Sequence, residues 1–578
     1  MILQALKSYY DRLAADPKSD IAPQGWAKVE IPFILVINQQ GTLVQIEDTR
    51  EQREKSLRGK VFLVPQPIKR SSGVASNFLW DSMTYVTGVI KTEGRKKEEI
   101  QKATRRAIEQ HVSFIHKVET TLYDSAKKRA CLQFLNAVDE SMLNQFSIWN
   151  DVVRANANLA IRFENDLYLY CQDKGVTSVY PSEETVLEKH RCLITGDLDI
   201  TSQLHTAIKG VNGAQSVGAN IVSFNLGPFQ SYGKKQGENA PIGEKAMFTY
   251  TTALNTLLAH DSRQRMQIGD ASTVFWSEKE STFETEFQQI FSEPPKDDPH
   301  ANTQCIRSLF ESPKTGEYYA TNESNTFFIL GLSPNAARLS IRFWLVGEIS
   351  EFASNIRQHF EDLKIDKPLY EPEFYSIWRL LIQTAPQGES KNIPPNISSD
   401  LMHAILRGTP YPQSLLTGVI RRIKSDSETR VDAVRASLVK ACLNRSLRCH
   451  PKVDEKELQM ALDIDQASIG YQLGRLMATL EKIQEEANPG LNSTITDRYY
   501  GAACSTPVTV FGTLMRLMRY HMDKLGTSGR KIYFEKLIGE ITGHISEFPA
   551  HLGLYEQGKF AVGYYHQKQA FYTKKDSE

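Results

Sequence analysis

The sequence predicts an α+β protein in which a mixed region of helices and strands precedes an all-α helical bundle. Apolar runs of strand length stand at 31–38 (IPFILVIN) and 61–65 (VFLVP). Two more, at 326–332 and 337–346, indicate two strands or one strand and its continuation. After residue 400 the pattern becomes helical, with apolar residues recurring at spacings of three and four. This order of patterns gives the fold class.

The first long helix is expected within 95–130. Five apolar residues there are three or four positions apart and share one predicted face: Ile108, Val112, Ile115, Val118 and Leu122. The stretch 91–129 is also basic, with 11 Lys/Arg against 6 Asp/Glu. Four more helical segments are expected beyond Met460. Their apolar stripes and short connections predict a small antiparallel bundle.

Composition divides the chain into three expected segments. The stretch 385–400 (APQGESKNIPPNISSD), rich in Pro, Ser and Gly, is the best linker candidate. It separates a mixed α and β region, 1–395, from a basic helical connector, 396–459, and a C-terminal helical bundle, 460–578. Within the first segment, residues 270–323 hold 11 Asp/Glu against 4 Lys/Arg, which predicts an acidic insertion.

Net charge and cysteine usage limit the class of protein. The 68 Lys and Arg residues equal the 68 Asp and Glu residues, which excludes a uniformly basic nucleic-acid binder but leaves room for local basic surfaces. The seven cysteines are scattered and form no CxxC pair, so we expect a reducing compartment and no disulfide framework. Cys449-His450 lacks a second ligand pair at zinc spacing, so no metal site is expected.

Membrane and secretory signals are not expected in this sequence. It contains no apolar run of the roughly 18 residues that a transmembrane helix needs. The N-terminal stretch MILQALKSYYDRLAAD is amphipathic and lacks the basic and apolar regions of a secretory signal. We therefore expect a cytoplasmic protein.

Catalytic signatures are weak. The sequence has no GxxxxGK[ST] phosphate loop and no GxGxxG after a strand. AQSVG (214–218) resembles a nucleophile elbow centred on Ser216, with Ala214 in place of the first glycine. A serine hydrolase using Ser216 is therefore the enzymatic alternative, although no partner histidine or acid is marked. The balance favours a protein that is not an enzyme and needs no cofactor.

Two glycine-rich loops carry residue types suited to binding. The stretch 213–225 (GAQSVGANIVSFN) contributes Gln215, Ser216 and Asn220. The stretch 231–241 (SYGKKQGENAP) contributes four more candidates: Lys234, Lys235, Gln236 and Asn239. Glycine lets a backbone approach a partner, amides can pair with base edges, and lysines can bind phosphates. The alternative is that both are surface loops whose glycines only make turns.

A third candidate loop lies in IKRSSGVASNFLWDSMTYV (68–86). Its polar and cationic residues are Lys69, Arg70, Ser71, Ser72 and Asn77. The alternative is a polar turn that leads into a buried segment containing Phe78, Leu79 and Tyr85, with Trp80 open to either interpretation.

A basic surface is expected in the connector, from Arg421, Arg422, Lys424 and Arg430. Its alternative is a solvated helix face. Several separate basic or amide-rich zones in a chain of zero net charge indicate a path for nucleic acid.

Long blocks of the chain resemble one known family. They are MILQALKSYYDRLAAD, KRSSGVASNFLWDSMTYVTG, the stretch from CLITGDLDI to PIGEKA, FILGLSPNAARLSIRFW and LYEQGKFAVGYYHQK. Together they resemble the large subunit of the type I-C CRISPR interference complex, Cascade. The blocks are spread from the first residue nearly to the last.

The resemblance implies a non-catalytic subunit of a prokaryotic antiviral complex, located in the cytoplasm. Such a subunit sits at the end of the complex that holds the crRNA 5′ handle. It reads the PAM on double-stranded target DNA, helps to open the duplex and stabilises the displaced strand of the R-loop. The resemblance also implies protein partners: the backbone and crRNA-processing subunits, small subunits, and a helicase-nuclease. A protein interaction scaffold without DNA contact is the third interpretation. In this division of labour the protein reads the PAM and guide pairing reads the sequence.

With this function in view, the loop of Lys69 to Asn77 and the loops of Gln215 to Asn239 become the candidates for PAM and DNA binding, and Arg421 to Arg430 for the displaced strand. The resemblance also implies a small subunit made from the C-terminal region. Lys456-Glu457 can be encoded by AAGGAG, a ribosome-binding sequence, two codons before Met460. We therefore predict internal translation from Met460, which would yield a 119-residue protein, 460–578.

Overall fold

A computed structural model describes residues 2–53, 56–68, 70, 73–177, 188–293, 302–315, 324–426, 430–453 and 455–572. The chain forms two compact units. Unit 1 comprises Met1–Ile208 and Asn220–Thr256, and unit 2 comprises Lys209–Ala219 and Leu257–Glu578. Both helices and strands are present, and helices dominate the C-terminal part, which confirms the predicted α+β class.

The strands of unit 1 are mostly short. They are β1 (Trp26–Glu30), β2 (Phe33–Ile37), β3 (Leu43–Asp48), β4 (Glu51–Arg53), β5 (Ser56–Arg58), β6 (Val61–Pro65), β7 (Trp80–Ser82), β8 (Asn158–Phe163), β9 (Lys189–Arg191) and β10 (Leu198–Ile200). The runs at 31–38 and 61–65 therefore form strands as predicted. Four strands build one sheet in the order β3-β2-β8-β7, in which β2 and β8 are parallel and the other pairs are antiparallel. All five residues of β2 are buried, because β2 lies inside this sheet.

The helices of unit 1 between residues 83 and 177 supply side chains to the core of this sheet, and the first and last helices of the unit contact each other through Tyr10 and Phe248. The helices of unit 1 are α1 (Ile2–Ala15), α2 (Met83–Thr87), α3 (Lys97–Thr121), α4 (Ala126–Ala137), α5 (Glu140–Leu143), α6 (Trp149–Ala155), α7 (Lys174–Thr177) and α8 (Glu244–Leu257). The core includes side chains with almost no exposure from strands, helices and the loop before β7: Phe33, Phe78, Phe114, Phe134 and Trp149.

The predicted long helix exists as α3, but part of its predicted apolar face was wrong. Phe114 and Val118 are fully buried, whereas Ile108 is 57% exposed and Val112 is 58% exposed. The buried face also includes Ala107, a small residue that a count of large apolar side chains does not weigh. Apolar residues at spacings of three and four lie on two neighbouring faces of α3, one with Ile108 and Val112 and one with Ala107, Phe114 and Val118. Packing against neighbouring elements buries the second face.

Unit 2 combines one sheet with many helices. Its strands are β11 (Arg265–Ile268), β12 (Ala271–Ser277), β13 (Thr326–Asn335) and β14 (Arg338–Glu348). Its first helices are α9 (Thr282–Phe291), α10 (Thr303–Thr315), α11 (Ile349–Leu363), α12 (Ile377–Leu381), α13 (Pro395–Arg407), α14 (Gln413–Ser425) and α15 (Ala433–Cys449). The C-terminal helices are α16 (Ile469–Ala487), α17 (Ile495–Ser505), α18 (Pro507–Asp523), α19 (Ser528–Gly543) and α20 (Leu554–Ala570).

The four strands pair antiparallel in sequence order, and the runs at 326–332 and 337–346 form the hairpin β13–β14. Every residue of β12 is buried. The described part of 270–323, the stretch predicted as an acidic insertion, contains β12, α9 and α10. One continuous core runs from this sheet to α20, and it includes Ile397 from the expected linker.

The boundaries of the two compact units lie at residues 208/209, 219/220 and 256/257. The three predicted segments have boundaries near residues 395 and 459, and their separate functions stay a prediction. The residues from 460 onward contain α16 to α20, one helix more than predicted, because α17 was missed. Met460 itself is 54% exposed and lies between α15 and α16. A Cβ atom added at Gly474 on α16 would overlap the carbonyl oxygen of Phe560 on α20, so glycine is required for this close helix packing.

Candidate nucleic-acid interface

The loop that carries Arg70 and Asn77 is organised around the buried carboxylate of Asp81. Asp81 is 2% exposed. It accepts a hydrogen bond from the backbone N–H of Asn77 at 2.8 Å and another from the guanidinium of Arg70. Arg70 also donates to the carbonyl oxygen of Ala75 at 2.5 Å, and its guanidinium carbon lies 4.0 Å from the ring centroid of Tyr85. Arg70 therefore ties the loop to its buried base.

The electrostatics of this ion pair support a positioning role for Arg70. Burial raises the pKa of Asp81, while the hydrogen bond and the positive charge of Arg70 act in the opposite direction. The side chain of Arg70 keeps 28% of its surface exposed while it pairs with a buried carboxylate. Two of its five N–H donors are used by Asp81 and Ala75, so Arg70 positions the loop and keeps further donors for a ligand.

Asn77 and Trp80 lie in the packed base of the same loop. Asn77 is 5% exposed, and its side-chain oxygen accepts a hydrogen bond from the backbone N–H of Ile68 at 2.9 Å. Trp80 is 3% exposed and donates its indole N–H to the carbonyl oxygen of Pro65 at 2.8 Å. The three residues predicted to form the base are buried as well: Phe78, Leu79 and Tyr85. Three other candidates of this loop lie outside the described residues: Lys69, Ser71 and Ser72.

Gln215 and Ser216 are exposed in a turn of unit 2. The backbone N–H of Gly218 donates to the carbonyl oxygen of Gln215 at 2.8 Å, and the side chain of Val217 is 70% exposed. In the part of the chain that the structure describes, Ser216 makes no hydrogen bond to an imidazole or a carboxylate, so nothing in the geometry supports the hydrolase alternative.

The lysine-bearing loop belongs to unit 1 and is braced by Asn239. The side-chain oxygen of Asn239 accepts the backbone N–H of Ser231 at 2.9 Å. Its side-chain nitrogen donates to the carbonyl oxygens of Lys234 at 3.2 Å and Gln236 at 3.0 Å. We call residues 231–239 the tip. The side-chain amide of Asn239 thus forms hydrogen bonds with the backbone at three positions of the tip.

The base of the tip is fixed by a close backbone approach. The backbone N–H of Gly237 donates to the carbonyl oxygen of Gln203 at 3.1 Å. A Cβ atom at Gly237 would overlap the carbonyl oxygen of Ser202, so only glycine fits here. Gln236 is half-buried, with a φ of 44°. Asn239 and Gln236 are therefore framework residues of the tip, while Lys234 and Lys235 are exposed on it.

Tyr232 is the residue of this loop that the sequence reasoning missed. Its side chain is 99% exposed, and its backbone has a φ of 53°, which is uncommon for a bulky residue. Two further apolar side chains of the preceding segment are open to solvent, Leu226 at 52% and Phe229 at 39%. The available signal was the sequence SYGKK, in which an aromatic residue precedes a glycine and two lysines.

Asn220 has a structural role and does not belong to the tip. It is half-buried and donates its side-chain amide to the carbonyl oxygen of His205 at 3.1 Å. His205 is buried, and its Nδ1 lies 2.5 Å from the hydroxyl of Tyr250 on α8. Asn220 therefore stabilises the path of the chain where it enters the second part of unit 1.

Three of the four basic residues of the connector are engaged within unit 2. Lys424 donates to Ser505 Oγ and to Gln557 Oε1, both at 3.1 Å, and so joins α14 to α17 and α20. The other two are held locally: Arg422 by Asp426, and Arg430 by the carbonyl oxygen of Lys424 at 3.1 Å.

These three side chains do not form the open basic surface that the sequence suggested, because Lys424 joins helices together and Arg422 and Arg430 are held by neighbouring groups of the same segment. Arg421 is exposed, and no ion pair of it is found among the described residues.

Among the described residues, no group of three or more His, Cys, Asp or Glu side chains could hold a metal ion. No helix in the same part of the chain has the length and apolar character that a membrane span requires.

Comparison with known proteins identifies the family. A family model described as CRISPR-associated protein (Cas_Csd1) matches residues 6–572, which is nearly the whole chain. No curated protein matches the sequence. The predicted relation to the CRISPR system is confirmed at this level, and it implies participation in a Cascade-type complex. The chain belongs to the CRISPR-associated Cas_Csd1 family.

Proposed function

We propose that this protein is the large, non-catalytic subunit of a type I-C Cascade complex and that it reads the PAM on double-stranded DNA. It then helps to open the duplex, stabilises the displaced strand and supports recruitment of the helicase-nuclease. The observation that carries the proposal is the braced tip of unit 1, in which exposed Tyr232 stands beside exposed Lys234 and Lys235.

The chemistry of the tip suits a nucleic-acid strand. An aromatic face can stack on any base, and the flanking lysines can neutralise phosphates on either side. The hydrogen bonds of Asn239 hold the backbone of the tip before any ligand binds, so less conformational entropy is lost on binding. An aromatic side chain on a braced backbone is also suited to enter between base pairs and begin strand separation.

The first loop supports this function in a different way from the one the sequence suggested. Arg70 and Asn77 shape the loop through Asp81 and Ile68, so they act on PAM binding by holding exposed neighbours in position. The turn of unit 2 that contains Gln215 and Ser216 exposes amide and hydroxyl groups that could contact the edges of bases in a groove.

Displaced-strand binding in unit 2 is assigned to Arg421, since it is exposed. Arg422, Lys424 and Arg430 keep the helices around it in place. The small subunit predicted from Met460 would begin in an exposed segment just before α16, so it would contain α16 to α20 as whole helices.

The experiment uses the assembled complex with crRNA and measures the Kd for a PAM-bearing duplex over a series of salt concentrations. The double variant Lys234→Ala/Lys235→Ala should bind more weakly, and the slope of log K against log salt should become shallower by about 2, because each lost phosphate contact releases about one counterion less. The control Lys18→Ala/Lys174→Ala removes two exposed lysines elsewhere in unit 1. An unchanged slope in the first variant, or no PAM-dependent binding by the wild-type complex, would contradict the proposal.

A further inference from the structure

A turn in unit 2 exposes two large apolar side chains that no part of the proposed DNA interface uses. Leu369 is 105% exposed and Tyr370 is 84% exposed. They are the central residues of a turn closed by a hydrogen bond from the backbone N–H of Glu371 to the carbonyl oxygen of Pro368, at 3.0 Å. Scattered single exposed apolar residues are normal on a protein surface, whereas these two adjacent large side chains form a small apolar patch at the end of the turn.

The turn is rigidly anchored. The ammonium group of Lys367 donates to the carbonyl oxygens of Pro372 at 2.6 Å and Glu373 at 2.8 Å, across the stem of the turn. The same ammonium lies 4.3 Å from the ring centroid of Tyr375, which is 2% exposed. One residue before Lys367, the backbone of Asp366 is also fixed.

Both backbone groups of Asp366 are used. Its N–H donates to the carbonyl oxygen of Met460 at 2.9 Å, and its carbonyl oxygen accepts the hydroxyl of Tyr565 at 3.0 Å. The stem is therefore fixed on the helical core of unit 2, and the exposure of Leu369 and Tyr370 is not the result of a loose loop.

The charge beside the two apolar residues favours a protein over nucleic acid. Glu371 follows Tyr370 directly, and among the described residues it forms no ion pair. Glu373 is nearby in sequence and is paired with Arg307 at 2.6 Å. Glu371 shares the attraction of the Lys367 ammonium without forming an ion pair with it, and together with Asp366 it leaves the turn acidic, which would repel a phosphate backbone and attract a basic rim.

A comparable pair elsewhere shows what is particular to this turn. Leu167 and Tyr168 of unit 1 are also exposed, at 88% and 68%. The acidic residue beside them, Asp166, is neutralised by Lys127 at 2.8 Å. A carboxylate without an ion pair within 4 Å is therefore a feature of the turn in unit 2 among the described residues, and the pair in unit 1 provides a matched control.

We propose that Leu369 and Tyr370 form a docking knob for a protein that binds transiently to the assembled complex through an apolar pocket with a lysine- or arginine-rich rim. Two anchors on a narrow turn bury little area, which is typical of transient rather than permanent interfaces. Rigid presentation reduces the entropy cost of binding, and Glu371 speeds encounter with a basic rim. The choice of probe rests on the proposed function, which supplies the helicase-nuclease as the transient protein partner.

The experiment measures the Kd of the helicase-nuclease for the DNA-bound wild-type complex and for complexes that contain Leu369→Ser/Tyr370→Ser, Glu371→Lys or Leu167→Ser/Tyr168→Ser. The first variant should raise the Kd about tenfold or more, and Glu371→Lys should raise it less and mainly through a slower association rate. The control pair should leave the Kd unchanged. Thermal unfolding should be the same in all of them, because the substituted side chains are exposed.

Several outcomes would overturn the docking knob: an unchanged Kd in the first variant, an equal loss in the control pair, or loss of complex assembly or self-association instead of helicase-nuclease binding. If the wild-type complex binds DNA but not the helicase-nuclease, recruitment in the proposed function fails together with the knob. If the wild-type complex recruits it and the first variant does so equally well, the knob alone is wrong.

Discussion

Asn239 donates a hydrogen bond from its side-chain nitrogen to the carbonyl oxygen of Lys234, at 3.2 Å, across the turn that exposes Tyr232. The same side chain accepts the N–H of Ser231 at 2.9 Å. An asparagine that the sequence suggested as a base-reading group is thus the brace of the loop. The exposed neighbours that it holds in place are left to meet the ligand.

Asn239→Ala should weaken DNA binding without unfolding unit 1. The loss of partly exposed hydrogen bonds should lower the free energy of unfolding by only about 1 kcal/mol. The tip should become mobile, so limited proteolysis should cleave near Lys234 or Lys235 faster than in the wild type. A variant with unchanged proteolysis and unchanged DNA affinity would show that the brace is not needed.

Arg70→Met should destabilise unit 1 by about 3 kcal/mol at pH 7, because it leaves the buried carboxylate of Asp81 without its cation. The double variant Arg70→Met/Asp81→Asn should recover much of this loss, since it buries no charge. Urea unfolding of the single and double variants measures the difference. Equal destabilisation in both would mean that the ion pair does not matter.

The pH dependence of the Arg70→Met loss follows from the pKa of Asp81, which burial already raises. Without Arg70 the folded protein binds a proton more readily than the unfolded chain. Stability is then gained as the pH falls toward the unfolded pKa of Asp81 and lost as it rises through the folded pKa. The variant should therefore be closer to wild type at pH 5 than at pH 8.

Two buried histidines in unit 2 should make the protein less stable in acid. Burial lowers the pKa of His359 to about 3 and that of His566 to about 3, with positive charge nearby as the second cause: Arg445 for the first and Lys440 for the second. Tyr411 accepts a hydrogen bond from Arg445 at 3.3 Å, which leaves its hydroxyl proton for His359 Nδ1 as an acceptor.

Because these folded pKa values lie below the ordinary value of about 6.5, the unfolded chain takes up protons first as the pH falls. Stability is complete above pH 6.5 and should decline below it, toward pH 3, by about 1.4 kcal/mol per pH unit for each histidine. Urea unfolding between pH 7 and pH 5 measures the slope. His566→Gln should flatten it by about half, and a slope equal to that of the wild type would contradict the assignment.

Synonymous recoding of Lys456-Glu457 should abolish the 119-residue product that begins at Met460 and leave the full-length chain intact. An immunoblot against a C-terminal tag reports both products from one gene. Synonymous recoding of an equal number of codons after Met460 is the control. Persistence of the short product after the first change would show that the proposed start is wrong.

Local apolar pattern was enough to predict several elements. The strand β2 is a continuous apolar run because all five of its residues are buried. In β14 the polar residues Arg338, Ser340 and Arg342 stand between apolar ones, which is the alternation of a strand with one exposed face. The face of α3 was predicted only in part, because Ile108 and Val112 fit a helical stripe as well as Phe114 does. Only packing decides which set is buried.

The domain boundary and the site depended on contacts between distant residues. A Pro- and Ser-rich stretch indicated a linker, yet Ile397 is buried in a core shared by the sheet and the C-terminal helices. Composition identified the loop of Lys234 and Lys235. It could not distinguish the framework residue Asn239 from the exposed Tyr232, because that difference is set by hydrogen bonds and backbone conformation.

The most direct test of DNA opening by the tip is the permanganate reactivity of thymines in the first base pairs next to the PAM, measured on duplex bound by the assembled complex. With the wild-type protein these thymines should react, and Tyr123→Ala, which removes a tyrosine that is 76% exposed elsewhere in unit 1, should not change this. With Tyr232→Ala at saturating complex, we predict that their reactivity falls to the level of free duplex. Reactivity equal to that of the wild type would contradict the central role of the tip.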